Sequence, residues 1–236
     1  MNTLQKTSRD KYAYHTTPHR CTIYFSEPQE TFCQSFLAAR TMESIVVSPD
    51  FTQLSFSIRD GSFRPFPRIA QCSKSHAKQR GSNVAPVFNY LQCVRMVSSL
   101  GRQISSMENM HHTFAWLDCR DMYLVNKTCI YLGIDSMCAL DTQTEKVFTL
   151  SRMLPYSYPG LFLAPEIKRT EVLPSCFSRT AVYHSLGSFV NYCLSGNNED
   201  TFVSTSFGRC IVDTKLYWFV LRCIHNEPNK RVMLFL

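Results

Sequence analysis

"GLFLAPEIKR", residues 160–169, runs three large apolar residues and an alanine straight into Pro165 and Glu166. Proline has no N–H to lose and a φ already near the helical value, so it suits the first turn of a helix. A carboxylate beside it sits at the positive end of that helix. The stretch therefore predicts an extended, buried run that stops where a helix begins. One role for Glu166 is a plain helix-end charge. Another is a partner for a distant cation, and the choice depends on the flanking sequence.

The flanks belong to a chain of 236 residues, enough for one large domain or two small ones. Hydrophobic residues make up 44% and charged residues 18%, which excludes a disordered chain and permits a sizeable core. The apolar run "LYWFVL" is far too short to cross a bilayer, and the polar start "MNTLQKTSRDKYAYHTTPHR" has no apolar signal segment. A soluble, cytoplasmic protein is expected. The eleven cysteines are odd in number and irregular in spacing, so reduced, buried thiols are expected. No CxxC occurs, and neither Cys223/His225 nor Cys119/Cys129/Cys138 has a zinc spacing, so no metal or other cofactor is expected.

The net charge of +7 is unevenly placed: residues 59–83 hold six basic residues and one acidic one. Such a stretch docks an acidic peptide, a phosphoinositide or RNA, or is simply a solvated linker. No RNP-type or Gly-rich RNA motif accompanies it, so nucleic acid is not expected as a partner.

Residues 1–20 read as a flexible arm. Strands are expected at "CTIYF" (21–25), "SIVVS" (44–48) and "QLSFSI" (53–58), each β-branched or aromatic and bounded by breakers. "FCQSFLAARTM" (32–42) reads as helix. After the basic linker, Phe88, Leu91, Val94, Val97 and Leu100 recur at helical spacing, with Pro86 fitting a first turn. A tight turn at Asn126-Lys127 is expected to join strands 122–126 and 129–134. "KVFTLS" is another strand. Residues 179–196 form an apolar helix ending at Gly196, and a last helix starts after Asp213 as N-cap.

This order of elements, and several of its words, resemble the C-lobe of a protein kinase. "FNYLQCVRMVSSLGRQI" resembles the helix before the catalytic loop, "FAWLDCRDMYLV" (114–125) the loop itself, and "IYLGID" (130–135) the DFG region. "LAPE" (163–166) resembles the end of the activation segment, "VYHSLG" (182–187) the start of the central helix, and "RCIHNEPNKR" (222–231) the motif near the domain's end. The six fall in family order across about residues 84–236. Upstream, "IRDGSFRPF" resembles the hinge. The fold class implied is α+β and protein-kinase-like: residues 1–20 an arm, 21–83 a shortened strand-bearing N-lobe with basic hinge, 84–236 a mainly helical C-lobe. In the family the Glu of this motif pairs with the terminal Arg, which here implies an anchor between Glu166 and Arg231.

The resemblance keeps the frame and loses the chemistry. Phosphoryl transfer needs a base, metal ligands and a phosphate clamp. The base position is Trp116, the loop Lys position Asp118, the loop Asn position Asp121 and the DFG Asp position Gly133. Asp135 lies two residues late, Val182 replaces the Asp that braces the loop, and no G-x-G-x-x-G occurs. The implied function is that of a pseudokinase: not an enzyme but a scaffold or allosteric regulator whose partners are proteins, an active kinase or another signalling protein among them. Arg64, Arg68, Lys74 and Lys78 are the candidate partner-binding residues, with the 135–160 loop and Tyr156 and Tyr158 as further surface. The alternatives are an atypical nucleotide-binding phosphotransferase using Asp118, Asp121 or Asp135 for metal, and a Cys/His hydrolase built on His111-His112.

Overall fold

The computed structural model describes residues 5–6, 11–59, 62–66, 88–152, 158, 160–195 and 211–234. Its first part is a five-stranded antiparallel sheet in the order β1-β2-β3-β5-β4, formed by Gln5–Lys6, Tyr12–Thr16, Arg20–Phe25, Val46–Val47 and Gln53–Ser57. Here β4 is the pair Val46–Val47 and β5 is Gln53–Ser57. Alternation puts Cys21, Ile23 and Phe25 of β3, and Leu54 and Phe56 of β5, on one buried face. Helix α1 (Glu30–Ala39) covers that face with Phe32, Cys33 and Phe36 and stops where Arg40 turns left-handed.

Within residues 1–20, read as a loose arm, strand β2 corrects that reading for Tyr12–Thr16. Tyr12 and Tyr14 alternate inward and are 5% and 6% exposed, which holds β2 in the sheet beside β3.

A two-residue strand, β6 (Arg64–Pro65), leads toward the helical part. There α2 (Tyr90–Glu108) starts on a capping box: Asn89 Oδ1 accepts from the Gln92 N–H and Gln92 Oε1 from the Asn89 N–H, both at 2.9 Å. Pro86 lies outside the described residues. The core face of α2 is Cys93, Met96, Val97, Leu100, Ile104 and Met107, and Leu91 points out instead. Helix α1 packs on α2, and Ser106 Oγ donates to the Ser35 carbonyl at 2.7 Å.

Strands β7 (His112–Phe114) and β8 (Leu117–Asp118) follow. The hairpin β9 (Met122–Val125) and β10 (Thr128–Tyr131) then turns at Asn126 and Lys127, both at positive φ. Strand β6 adds to the free edge of β9. Strand β11 (Met137–Ala139) pairs with β7. Strand β12 (Val147–Leu150) pairs with β14 (Ser175–Ser178), and β13 (Leu161–Phe162) with β8. Pro165 opens the single turn α3 (Pro165–Lys168).

Helix α4 (Ala181–Ser195) is buried along its whole length, as its nearly all-apolar sequence requires. Helix α5 (Lys215–Cys223) crosses it closely at Gly187, where a Cβ would lie 2.7 Å from the Ile224 side chain and 2.8 Å from the Cys223 Cβ. Thr214, not Asp213, caps α5, since Asp213 is itself at positive φ. Gly196 falls outside the described residues.

One hydrophobic core runs through sheet and helices alike, from Tyr12, Ile23 and Phe56 to Phe189, Phe219 and Cys223. A second, smaller cluster gathers Trp116, Leu140, Phe148, Leu163 and Ile167. The architecture is α+β with several small antiparallel sheets. Among the described residues, no helix is long and apolar enough to cross a membrane.

Candidate functional site

Asp121 and Asp135 flank the β9–β10 hairpin, each within a single 3₁₀ turn: Cys119–Asp121 before β9 and Ile134–Ser136 after β10. The sheet closes on them from above. The Tyr12 hydroxyl donates to Asp121 Oδ1 at 3.2 Å and lies 3.1 Å from the Tyr123 hydroxyl. Burial first, then the neighbouring Tyr123 and Asp121, push the Tyr12 phenol far above its ordinary pKa, so it remains a proton donor. Next to it, Lys11 Nζ pairs with Asp135 Oδ1 at 2.5 Å. The void enclosed by Lys11, Tyr12, Asp121, Leu132, Ile134 and Asp135 is about 10 Å³, the room of at most one water.

The rest of the gap between sheet and helices is filled by rings. Phe63 stacks on Tyr123 at 4.9 Å between centroids, Tyr14 meets Phe63 at 4.9 Å and Tyr123 at 5.6 Å. These offset and edge-on arrangements are favourable for buried aromatics.

Gly133 shows why no carboxylate stands there. A Cβ built on it would lie 2.0 Å from Tyr131 Cζ and 2.1 Å from its hydroxyl oxygen. The ring cannot give way easily. It is 1% exposed, its hydroxyl donates to the Trp116 carbonyl at 3.2 Å and lies 2.9 Å from Ser136 Oγ, and it packs T-shaped against Phe114. Trp116 itself is buried in the second cluster, and its Nε1 has no hydrogen-bond partner among the described residues.

Asp118, expected on a loop, is fully buried at the end of β8. Its carboxylate accepts the Arg120 backbone N–H at 2.9 Å, the Arg120 Nε and Nη2 N–H groups at 3.0–3.3 Å, and the Tyr158 hydroxyl. Arg120 also lies over the Tyr158 ring, 3.8 Å from its centroid. This corrects the reading of Tyr158 as free surface: it is half-buried and engaged, and Asp118 is shut away from any ligand by its own neighbours. Tyr156 lies outside the described residues.

Glu166 and Arg231 meet across the chain. Arg231 Nη1 donates to Glu166 Oε1 at 2.5 Å and Nη2 to Oε2 at 2.8 Å. Two carbonyls take further N–H groups of the guanidinium, His225 at 2.7 Å and Asn226 at 3.3 Å. The Arg231 side chain is 0% exposed and that of Glu166 24%. Burial works to raise the Glu166 pKa, but the hydrogen bonds and charge of Arg231 outweigh it and hold the carboxyl below its usual range.

Of the basic candidates, Arg64 is exposed on β6; Arg68, Lys74 and Lys78 lie outside the described residues. His111 pairs with Glu145 at 3.1 Å, and His112 Nδ1 lies 2.7 Å from the Met110 carbonyl. Burial pushes the thiols of Cys21, Cys33 and Cys223 up to about 12, which leaves them poor nucleophiles. Among the described residues no cluster of His, Cys, Asp and Glu is arranged to hold a metal ion.

Sequence reasoning missed Tyr12, Phe63, Tyr123 and Tyr131, the residues that fill the gap. Only the Tyr12/Tyr14 alternation offered a signal, and polar neighbours hid it. No family model matches the chain, and no curated protein matches it.

Proposed function

We propose that this chain is a non-catalytic protein of protein-kinase-like fold that acts as a protein-interaction scaffold or allosteric regulator. The observation that carries this reading is the state of the gap where a nucleotide would lie. Tyr12, Tyr14, Phe63 and Tyr123 occupy it, and about 10 Å³ remains beside Asp121 and Asp135. A ligand of nucleotide size needs a cleft of several hundred Å³. Three of the chemical positions support it further. An indole accepts no proton at Trp116, a ring occupies the space of any side chain at Gly133, and Asp118 is consumed by Arg120 and Tyr158. The anchor between Glu166 and Arg231 supports the kinase-like frame, and partners of this module are expected to be proteins.

The alternative is an atypical phosphotransferase. It would require Asp121 and Asp135 to leave Tyr12 and Lys11, and the aromatic stack to part. Thermal melting with and without millimolar Mg-ATP separates the two. A ligand at a hundred times its Kd would stabilise the fold by about 2.7 kcal/mol, a rise of several degrees. No change in Tm is expected, and a rise of that size would overturn the non-catalytic reading.

A further inference from the structure

Two cavities of about 670 and 390 Å³ share Arg95, Asn126 and Lys127 and so form one groove along the first turns of α2, past the β9–β10 turn. Its charged lining is Arg59, Arg64, Arg95, Arg102 and Lys127, all five exposed. No described Asp or Glu lines it. Its floor is apolar: Phe88, Met96 and Leu124, with Leu91 standing 64% exposed at its edge. The arrangement follows from helix geometry. Leu91, Arg95, Ser98 and Arg102 recur at spacings of four, three and four residues, a single stripe of α2. Arg102 lies along that stripe, its guanidinium 3.4 Å from the Ser98 carbonyl and from Ser98 Oγ.

Five like charges around one concavity repel one another, and Arg59, Arg95, Arg102 and Lys127 form no ion pair with a described carboxylate. Among the described residues the groove holds no anion to offset them. The linking sequence 67–87 is itself basic, with Arg68, Lys74, Lys78 and Arg80 and no Asp or Glu.

We infer that this groove binds an extended acidic peptide segment of a partner protein, with carboxylates on the Arg/Lys rim and an apolar side chain against Leu91. The inference gives the interaction-module reading its partner class and to that extent rests on it. Charge alone would suit nucleic acid or an anionic membrane as well. The lining argues for a peptide. Single-stranded nucleic acid binds by stacking bases on exposed rings, and the one ring among the described lining residues, Phe88, is 5% exposed. A membrane surface cannot reach the apolar floor of a concavity, which leaves it only Leu91 at the edge. From Leu91 to Arg102 the helix advances about 16 Å, the reach of roughly five extended residues.

Fluorescence polarisation tests this on the full chain. The probe is a labelled peptide alternating Glu with Leu, compared with the same peptide carrying Gln for Glu, with an oligothymidylate of equal charge, and with vesicles rich in phosphatidylserine. Tightest binding is expected for the acidic peptide, weakening as salt is raised from roughly 50 to 200 mM. The variant R95E/R102E should bind about tenfold or more weakly, as expected for reversed charges at an electrostatic interface. Lys215→Glu, on α5, should bind like the unaltered protein, and Leu91→Ser should weaken binding with the salt dependence retained. Should R95E/R102E melt early, R59E/K127E takes its place.

Equal binding of the Gln peptide, tighter binding of oligothymidylate or vesicles, or indifference to the reversals would each overturn the inference. Failure of the non-catalytic reading shows elsewhere, as a Tm rise with Mg-ATP, so the two failures are distinct.

Discussion

Replacing Glu166 by Gln keeps the size of the side chain and removes its charge, which makes it the sharpest probe of how the C-terminal segment is held. Arg231 is wholly buried and its guanidinium is satisfied by two carboxylate oxygens and two carbonyls. Without the carboxylate, a buried cation keeps only His225 and Asn226. Breaking one side of a buried pair costs about 3–5 kcal/mol, and the partial exposure of Glu166 places this case near 3. Arg231→Ala strands two carbonyls and one carboxylate that water partly reaches, again about 3 kcal/mol. Because both substitutions destroy the same unit, the double variant should cost about 3–4 kcal/mol rather than 6, a coupling of about 2–3. Urea unfolding of the four proteins at pH 7, with m unchanged, reads this directly. The pH dependence has a definite sign. The Glu166 carboxyl is held low in the folded state, so its contribution is complete above the unfolded value near 4.3 and fades as pH falls through the folded one. The lead of the unaltered protein over Glu166→Gln should therefore shrink on acidification. Additive losses under about 1 kcal/mol each would refute the reasoning, because surface pairs behave that way.

Gly133→Ala should destabilise by several kcal/mol, since the added Cβ falls on the Tyr131 ring in a site with no slack; a loss under about 0.5 kcal/mol by denaturant melting would contradict this. Introducing Asp at 133 should likewise impair folding and create no nucleotide binding. Glu108 is held above its normal pKa by burial, only partly offset by the Tyr183 hydroxyl and by Arg179, and its Oε1 has no partner among the described residues. A raised folded pKa means the charged form opposes folding as pH rises through it. Glu108→Gln should thus raise Tm slightly at pH 7 and leave it unchanged near pH 4, and the reverse order in a melting series would overturn this. Gly187→Ala should cost about 1–3 kcal/mol through the crossing of α4 and α5.

Local patterns in the sequence reached as far as local forces determine the structure. The alternation in "CTIYF", the turn at Asn126-Lys127 and the apolar run of α4 each state their own conformation, and each stands within a residue or two of where it was expected. The arginine facing Glu166 was legible only because a resemblance joined two segments 65 residues apart. What stayed hidden depends on contacts that no window contains. Asp118 looks like an exposed loop carboxylate until Tyr158, forty residues on, closes over it. Tyr131 reads as an ordinary strand residue, although its ring excludes any side chain from position 133. Leu91 fits the apolar spacing of α2 yet faces outward, because the core side of the helix is set by Cys93, Met96 and Val97.

The core passes without a break, among the described residues, from Ile23 past Phe63 and Tyr123 to Phe219. Proteins that answer a ligand by opening and closing do so because two arrangements of their halves lie within a few kcal/mol of each other. Here, separating sheet from helices would expose the whole aromatic seam to water. Heat or denaturant should accordingly melt both parts in one transition, and the slowest amide exchange should appear in the sheet and in α4 alike.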